Sequence, residues 1–526
     1  MSTLPISPVV LAPLVLFLLL LGSLLVVGKV PLSYNLRNLV VRWRMSLLTG
    51  LAFTLVIGLL IVMMAFVNGM GKLTEGSGHS DNVVVLAEGA NDESFSSLNF
   101  TEIGDIERQK GVMAGELPGN EGKPLASKEV YVIANMPIPP KEGHASGPQM
   151  RGKVRKVLID QNAFILLDTA SNERRFQLAE SGKVFANSIE GKLENLKPGD
   201  DIWMAYEDRR PDGWALEIQG SNRRRFIQIR GIEEPLISAE VHRLDLFPGG
   251  QWFSAAGVEE LPTTDKDKNS ETAIQTVIGD GIARELGPDL KKERLEVGDI
   301  FELGPRKWKV VGILQSAGTT FNSEVWAKRG YIGELYGKPN TISSMVIRTA
   351  SAADAELLAE DLKENYKKAN LQTQTETQYY SKLQGISAQL QVAIIFLTVF
   401  MAVGGVFGLM NTMFAAISQR IKDIGVLRIL GYARWQILSS FLLESLGIAL
   451  IGGLVGCALG MLSHGWSATS IVGSGQGGFG KTVIFRLVVD ANTLGIGILL
   501  TMFMGFTGGL LPSLSAMRLR PLESLR

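Results

Sequence analysis

The sequence predicts an α-helical membrane protein with four core transmembrane helices and an extra N-terminal one. These helices carry a large α+β extracytoplasmic domain that holds a small β-barrel-like insert. Three observations lead there. Long stretches of the 526-residue chain carry no charged side chain: Pro5–Val27, Met45–Val67, Ile386–Ser418 and Ala491–Met517, with a fifth apolar stretch after Ser445. Each is long enough to cross a bilayer, which takes about 20 apolar residues at about 1.5 Å rise per residue. Between the second and third lies a polar block, 71–385, of ordinary globular composition. Inside that block, Lys153–Ile218 alternates short apolar–polar runs with turn residues.

The elements follow in chain order. A transmembrane helix over 9–27 precedes the first positive charge, Lys29, and lacks the basic leading region of a cleaved signal, so a retained helix is expected. Residues 31–44 are expected to form a cytoplasmic interfacial amphipathic helix, with Leu32, Leu36, Leu39/Val40 and Trp43 on one face and Arg37, Asn38 and Arg42 off it. Transmembrane helices are expected over 45–69, 386–417, 437–463 and 492–513. They are joined by a cytoplasmic loop at 418–436 and a Gly-rich extracytoplasmic loop at 464–491, and the chain ends in a cytoplasmic tail, 514–526. Short loops rich in Lys and Arg stay on the cytoplasmic side. Segments 29–44 and 418–436 and the tail are the basic ones. They therefore face the cytoplasm, and block 71–385 faces the other side.

Within the block, Asn82–Leu86 is expected as a strand and Thr101–Lys110 as a helix. Ser351 should cap a helix running to about Asn370, with Ala355, Leu358, Leu362 and Tyr366 on one face. Lys153–Ile159, Phe164–Asp168, Arg175–Leu178 and Asp201–Tyr206, separated by turn residues such as Lys197-Pro198-Gly199-Asp200, suit an antiparallel barrel over about 150–220. Pro137–Pro148 leads into it, and Asn222–Arg225 leads out, its arginines expected in solvent. Asp265–Glu271 is a polar surface loop. Ile300–Leu303 and Trp308–Leu314 should pair.

Composition excludes several functions. Lys plus Arg and Asp plus Glu are 52 each, so no charge excess points to nucleic acid. The single cysteine, Cys457, lies in a membrane segment, and the four histidines are scattered, so neither a disulfide nor a metal site is expected. Gly475-Gln476-Gly477-Gly478-Phe479-Gly480-Lys481-Thr482 matches the phosphate-loop pattern G-x4-G-K-[ST]. That loop works only between a strand and a helix. Here a membrane helix precedes it and an extended run follows, so nucleotide binding is rejected. His79-Ser80-Asp81 cannot form a triad, because adjacent residues lack the geometry. No catalytic residue, cofactor or metal is assigned to this chain.

The second basic loop stands out. Ile417, Ile421, Ile424 and Leu427/Arg428 recur at helical spacing, and Gly425 and Gly431 permit close approach and a turn. Glu444, two turns into its helix, is expected to have a structural partner such as Arg434 or Arg42. The glycines at 404, 405, 408, 447, 452, 453, 456 and 460 suit close helix packing, including a seam between two copies.

On these residues the chain resembles the FtsX-like/MacB-like permease family of ABC transporters. The resemblance rests on Gly408-Leu409-Met410-Asn411-Thr412-Met413 leading into Arg420, Asp423-Ile424-Gly425, Arg428 and Leu430-Gly431. It extends to the tail Leu511-Pro512-Ser513 with Arg518–Arg526, to Asn35-Leu36-Arg37, and to Val277-Ile278-Gly279 with Val297-Gly298-Asp299. It departs at Gln419, where the family has Glu, and at Tyr432. The resemblance implies a non-catalytic permease subunit in the cell membrane, paired as a homodimer with a separate cytoplasmic ABC ATPase that holds ATP and Mg. A membrane-fusion adaptor is a further implied partner. Arg420, Lys422, Asp423, Ile424, Gly425, Arg428 and Gly431 would then form the ATPase-coupling site. The function implied is ATP-driven movement of the outer domain that exports or extracts a lipid, lipoprotein, peptide or hydrophobic compound. A transmembrane signalling subunit activating cell-wall enzymes is the alternative. A sensor or adhesion protein would need a cytoplasmic output domain that the short cytoplasmic segments do not supply.

Overall fold

The computed structural model describes residues 11–12, 15, 22, 43–168, 172–208, 213–261, 271–316, 318–383, 385–472 and 481–518. Most of the expected helix at 9–27, the interfacial helix up to residue 42, most of the loop at 265–271, Gly475–Gly480 and the tail from 519 lie outside them. The chain divides into two compact units. Met1–Gly78, Tyr380–Ser470 and Ile484–Arg526 make a membrane unit; His79–Tyr379 and Ile471–Val483 make the other.

The described chain opens with α1 (Trp43–Ser77), then β1 (Asn82–Ala87), β2 (Leu98–Asn99) and β3 (Ala126–Pro137). The insert holds β4 (Gln149–Leu158), β5 (Ala163–Asp168), β6 (Glu173–Ala186), β7 (Ile189–Gly191), β8 (Asp201–Asp208) and β9 (Gly213–Ser221). The domain resumes with β10 (Arg224–Ile232), α2 (Pro235–His242), β11 (Val258–Glu260), β12 (Thr272–Gly279), α3 (Asp280–Leu286), β13 (Ile300–Leu303) and β14 (Arg306–Leu314). It continues through β15 (Glu324–Lys328), α4 (Arg329–Leu335), β16 (Thr341–Ile342), β17 (Ser344–Arg348), α5 (Ala352–Asn365) and β18 (Leu371–Thr375). The remainder is α6 (Glu376–Leu383), α7 (Gly385–Gln419), α8 (Ile421–Ile429), α9 (Arg434–Met461), β19 (Ser467–Val472), β20 (Lys481–Arg486) and α10 (Ala491–Met517).

Among the described residues, four helices are long and apolar enough to span a bilayer: α1, α7, α9 and α10. Small residues let them approach. A Cβ on Gly452 would come within 2.5 Å of the Gly50 carbonyl, and one on Gly456 within 2.8 Å of the Thr54 carbonyl, both on α1. On the other side of α9, Gly453 abuts Thr501 of α10, and Gly505 of α10 abuts Ala449. Spacing by three or four puts small residues on one helix face and draws backbones together where apolar burial gives no drive. These glycines therefore pack within one chain and not at a seam between copies, whereas Gly404, Gly408 and Gly447 meet nothing within 4 Å. The Gly-rich loop is also more structured than expected, since β19 and β20 pair as a hairpin.

In the other unit, a ten-stranded sheet runs β13-β14-β12-β15-β10-β3-β17-β1-β18, with β11 added on β12. Its pairs are antiparallel except β10–β15 and β12–β14. The expected strand at Asn82 and the pair β13–β14 are present. The capped helix is present too: the Ser351 hydroxyl accepts from the Asp354 N–H, and Ala355, Leu358 and Leu362 are buried. It ends at Asn365 instead of Asn370, with Tyr366 already extended. The expected helix at Thr101–Lys110 is a series of turns with one short 3₁₀ turn, Ile106–Arg108. Asn99 ties back Thr101, Gly104 interrupts the run, and burying Ile103 and Ile106 in the core fixes the turns instead.

The insert sits where β3 and β10 would otherwise be joined by a turn. Those strands pair from Glu129↔Ile232 to Pro137↔Arg224, and β4–β9 lie between them in sequence. The insert's strands pair β5-β4-β8-β9-β6, and β6 returns to β5, so the barrel is closed. It was expected to be antiparallel, yet β6 pairs β9 in parallel. One long strand, bent where Gly182 sits against the Ala215 carbonyl, serves both β5 and β9. Five strands in this order with that one parallel pair have the topology of an OB-type barrel. Its core is Phe164, Phe176, Ile202, Met204 and Ile218. The leading linker is pinned to it: Glu217 accepts from the His144 and Ala145 N–H groups at 2.8 and 2.7 Å. A Cβ on Gly143 would fall 2.2 Å from that carboxylate. In the outgoing segment Arg223 and Arg224 are exposed, but Arg225 is buried against Asp289, contrary to the solvated run expected.

A buried ionic network occupies the middle of the sheet. Arg230 on β10 grips Glu324 of β15 bidentately at 2.7 and 2.8 Å, reaches Glu93 at 2.8 Å, and bonds Glu129 of β3. Both strand neighbours present these carboxylates diagonally on one face. Tyr131, Phe321 and Trp326 pack on the guanidinium. His242 Nε2 lies 2.6 Å from the second Glu129 oxygen, and its Nδ1 lies 3.5 Å from Glu376. Glu376 in turn accepts from the His79 N–H and the Asn82 side chain, both at 2.9 Å.

Burial alone would lower the His242 pKa, but Glu129 and Glu376 raise it to about 9. Burial likewise would raise Glu129, and Arg230 with His242 hold it below its ordinary value of 4.5. The sign follows for each. The stabilisation from His242 is complete below its ordinary 6.5 and is lost as pH rises through about 9. That from Glu129 is present above 4.5 and fades as pH falls through its lowered value. Thermal unfolding of the detergent-solubilised chain should therefore lose stability on the alkaline side, and His242→Gln should flatten that limb. Arg230→Met, leaving carboxylates buried without their cation, should cost roughly 3–5 kcal/mol in denaturant unfolding. A loss under 1 kcal/mol would remove this network from the stability of the domain.

Candidate coupling site

The segment singled out in the sequence folds as a short helix between two membrane helices. α7 ends at Gln419 and α8 begins at Ile421. Between them Arg420 turns inward. Its guanidinium meets Glu444 of α9 with two bonds, 2.9 and 3.1 Å, over the Phe441 ring. Each residue is only 5% exposed, so this is a desolvated, bidentate pair. The partner expected for Glu444 was Arg434 or Arg42; Arg434 instead points to solvent and Arg42 lies outside the described residues. Sequence distance misled here: the turn at 420 brings the loop's first cation back onto α9.

The remaining predicted residues divide by direction. Ile424 and Gly425 are buried, Ile424 packing with Ile417, Ile437, Phe441 and Ala516. Arg428 and Gly431 brace the turn out of α8: the Arg428 Nη1 donates to the Tyr432 carbonyl at 3.0 Å, and Gly431 adopts φ +95°. A left-handed residue there suits glycine and ends the helix. Ala433 then starts α9, its N–H held by the Gln436 side chain at 2.8 Å. Only Lys422 and Asp423 of the predicted charged set face outward.

The outward face also carries residues that the sequence reading missed. Val426, Ile429 and Leu430 are 47%, 62% and 71% exposed, and Trp435 at the start of α9 is 70% exposed. The signal was available: α8 has five apolar residues in nine positions plus Leu430, too many for one buried stripe. The loop therefore has a rigid inner side, fastened by an ion pair and apolar packing, and an outer side of apolar residues beside Lys422 and Asp423.

The nucleotide-loop match gains no support from its described part. Lys481 and Thr482 begin β20, so no helix follows the motif. His79 and Asp81 face Arg243 rather than a nucleophile.

Residues 395–521 match the family described as FtsX-like permease C-terminal. The uncharacterized ABC transporter permease MJ1507 of Methanocaldococcus jannaschii is 27% identical over 256 residues, covering 48% of this chain and 61% of that protein. The uncharacterized ABC transporter permease YknZ of Bacillus subtilis is 26% identical, covering 47% and 60%. The macrolide export ATP-binding/permease protein MacB of Nitrobacter winogradskyi is 38% identical over 127 residues, 24% of this chain and 17% of its own length. The chain thus spans about three-fifths or less of these relatives. The periplasmic region of MacB from Actinobacillus actinomycetemcomitans overlays 59% of this chain and 95% of its own, at 10% identity and a TM-score of 0.27. The extracellular domain of YknZ gives 56% and 98%, at 13% identity and a TM-score of 0.26.

The ion pair itself is testable. Arg420→Met should lower the unfolding temperature of the purified chain, because it strands the Glu444 carboxylate. Arg420→Met with Glu444→Met should recover most of that loss, since a buried pair replaced by apolar groups is often neutral. A double variant no more stable than the single would show that the pair is not the relevant contact.

Proposed function

Because residues 395–521 form an FtsX-like permease C-terminal domain in a multi-pass membrane protein, we propose that this chain is the permease subunit through which a separate cytoplasmic ABC ATPase moves the extracytoplasmic domain. The observation that carries the reading is the two-sided helix α8. Its outer face, Lys422, Asp423, Val426, Ile429 and Leu430, is the surface the ATPase takes. Its inner face, Arg420, Ile424 and Gly425, fixes it to the bundle. Apolar anchors bounded by charges are what an interface core and rim require.

Force applied to α8 is not absorbed locally. The Arg420–Glu444 pair passes it to α9, and the peptide bond at Gln419 passes it to α7. That helix has 35 residues, about 52 Å at 1.5 Å per residue. Upstream in sequence lies α6, whose first residue is Glu376 of the buried network. ATP and Mg belong to the ATPase, and this chain contributes no catalytic residue. Two copies pair, using the broad exposed face of α7 that carries Ile395, Phe396, Val399, Phe400, Val403 and Phe407. The work done outside is export or extraction of a lipid, lipoprotein, peptide or hydrophobic compound, with an adaptor as a further partner.

Ile429→Asp with Leu430→Asp should abolish co-purification of an ATP-hydrolysing partner from native membranes, while the variant chain stays folded by size-exclusion chromatography. Lys481→Ala in the same preparation should leave ATP turnover at the wild-type rate. Retained co-purification in the first case removes the docking surface. Lost turnover in the second restores the nucleotide loop to consideration.

A further inference from the structure

A cavity of about 280 Å³ lies within the membrane unit, walled by α1, α7 and α9. It is at the end of the bundle that carries α8, the side assigned to the cytoplasm by its basic loops. Its polar groups come from Arg44 and Thr49 of α1, Thr412 and Gln419 of α7, and Glu444 of α9, with Met413 and Ile448 as apolar floor. The volume exceeds that of several waters. It falls just short of the 300–1,000 Å³ of pockets that enclose a whole drug-sized molecule. A fragment fits, not a transported substrate.

The charge of the wall is decided by the ion pair. Glu444 is the one acid on it, and Arg420 engages both its oxygens. The charge left to attract a ligand is the positive one of Arg44, which is exposed and stacked on the exposed Trp43 ring at 5.7 Å. Tryptophan rings settle at headgroup depth in a bilayer. Deeper in, the Thr49 hydroxyl donates to the Thr412 hydroxyl at 3.3 Å, a polar pair at the border of the apolar span.

We propose that this cavity binds the headgroup of an anionic phospholipid of the cytoplasmic leaflet. Arg44 takes the phosphate, and Gln419 with the two threonine oxygens accepts from the glycerol hydroxyls of the headgroup. Basic pockets between membrane helices on the cytoplasmic side favour such headgroups. The lipid then touches α1, α7 and α9 at once, the helices that hold α8. The choice of leaflet rests on the orientation above, but the binding itself does not depend on an ATPase.

The test uses the full chain in phosphatidylcholine nanodiscs containing a minor fraction of phosphatidylglycerol, with retained lipid read by native mass spectrometry after release. Phosphatidylglycerol should be enriched about five-fold over its bulk fraction, the scale of one basic residue at a membrane surface. Arg44→Gln should erase the enrichment, and Gln419→Leu should reduce it. Arg434→Gln, an exposed arginine outside the cavity, should leave it unchanged. Enrichment surviving Arg44→Gln overturns the proposal. Equal loss in Arg434→Gln also overturns it, since bulk charge would then suffice. If millimolar inorganic phosphate displaces the lipid, the site is one for a free anion and the proposal fails. None of these outcomes bears on whether α8 docks an ATPase.

Discussion

The Arg230 guanidinium is the point on which the extracytoplasmic unit turns. Four carboxylates, Glu93, Glu129, Glu324 and Glu376, are buried around the cations Arg230 and His242. No apolar packing would tolerate them singly, because each desolvated charge costs several kcal/mol. They persist because each satisfies another. The network spans β3, β10, β15 and α2, and through Glu376 it reaches the N–H of His79. The chain enters this unit at His79 and leaves it at Tyr379, so one carboxylate holds the two ends of the domain together. Such a knot adds less stability than an apolar core of equal volume would. What it adds is a single permitted arrangement of the two ends.

The membrane unit solves a different problem by different means. In lipid, apolar residues gain nothing by meeting one another, so contact comes from backbone proximity and polar bonds. Gly452 and Gly456 against α1 and Gly453 against α10 supply the first. Arg420–Glu444 supplies the second where the loop leaves α7, as Thr54 does by donating to the Gly452 carbonyl. A mobile α8 would dissipate a push within its own turn. Fastening Arg420, the residue before α8, to Glu444 of α9 fixes where that helix starts.

How much of this was legible follows from where the causes lie. The spans, the capped helix at Ser351 and the pair β13–β14 are written in local pattern: charge absence, cap chemistry, alternation. Of the glycines read as packing residues, Gly405, Gly452, Gly453, Gly456 and Gly460 do meet neighbouring helices of the same chain, but a small face does not say in advance which helix fills it. Arg420 and Ile424 were singled out for a docking role, yet they face inward. Composition marks the loop, while the turn at 420 decides which residues look outward. Val426, Ile429 and Leu430 passed as ordinary helix apolars for the same reason. The helix expected at Thr101–Lys110 failed because tertiary burial of Ile103 and Ile106 outweighed a weak local preference. The Arg230 network was invisible: its members stand up to 283 positions apart (Glu93 to Glu376), and each looks like a surface charge by itself.

The insert shows how a domain accepts a large addition without disturbing that network. It enters at the far end of the β3–β10 pair, where Pro137 meets Arg224, while Arg230 and Glu129 lie at the other end of the same ladder. Every rung between them is kept, so the inserted strands add no strain to the ionic centre. Closing the barrel through β5–β6 leaves little new open edge beyond the short strand β7, less than an open sheet of equal length would. Its attachment is therefore two short segments, and both are fixed: Glu217 holds the leading one through two backbone N–H groups, and buried Arg225 with Asp289 anchors the outgoing one. The barrel's attachment follows the same logic that buries Glu444 beside Arg420. In both units a charge taken out of water appears where one piece of structure must be held at a defined angle to the next, and apolar residues fill the rest.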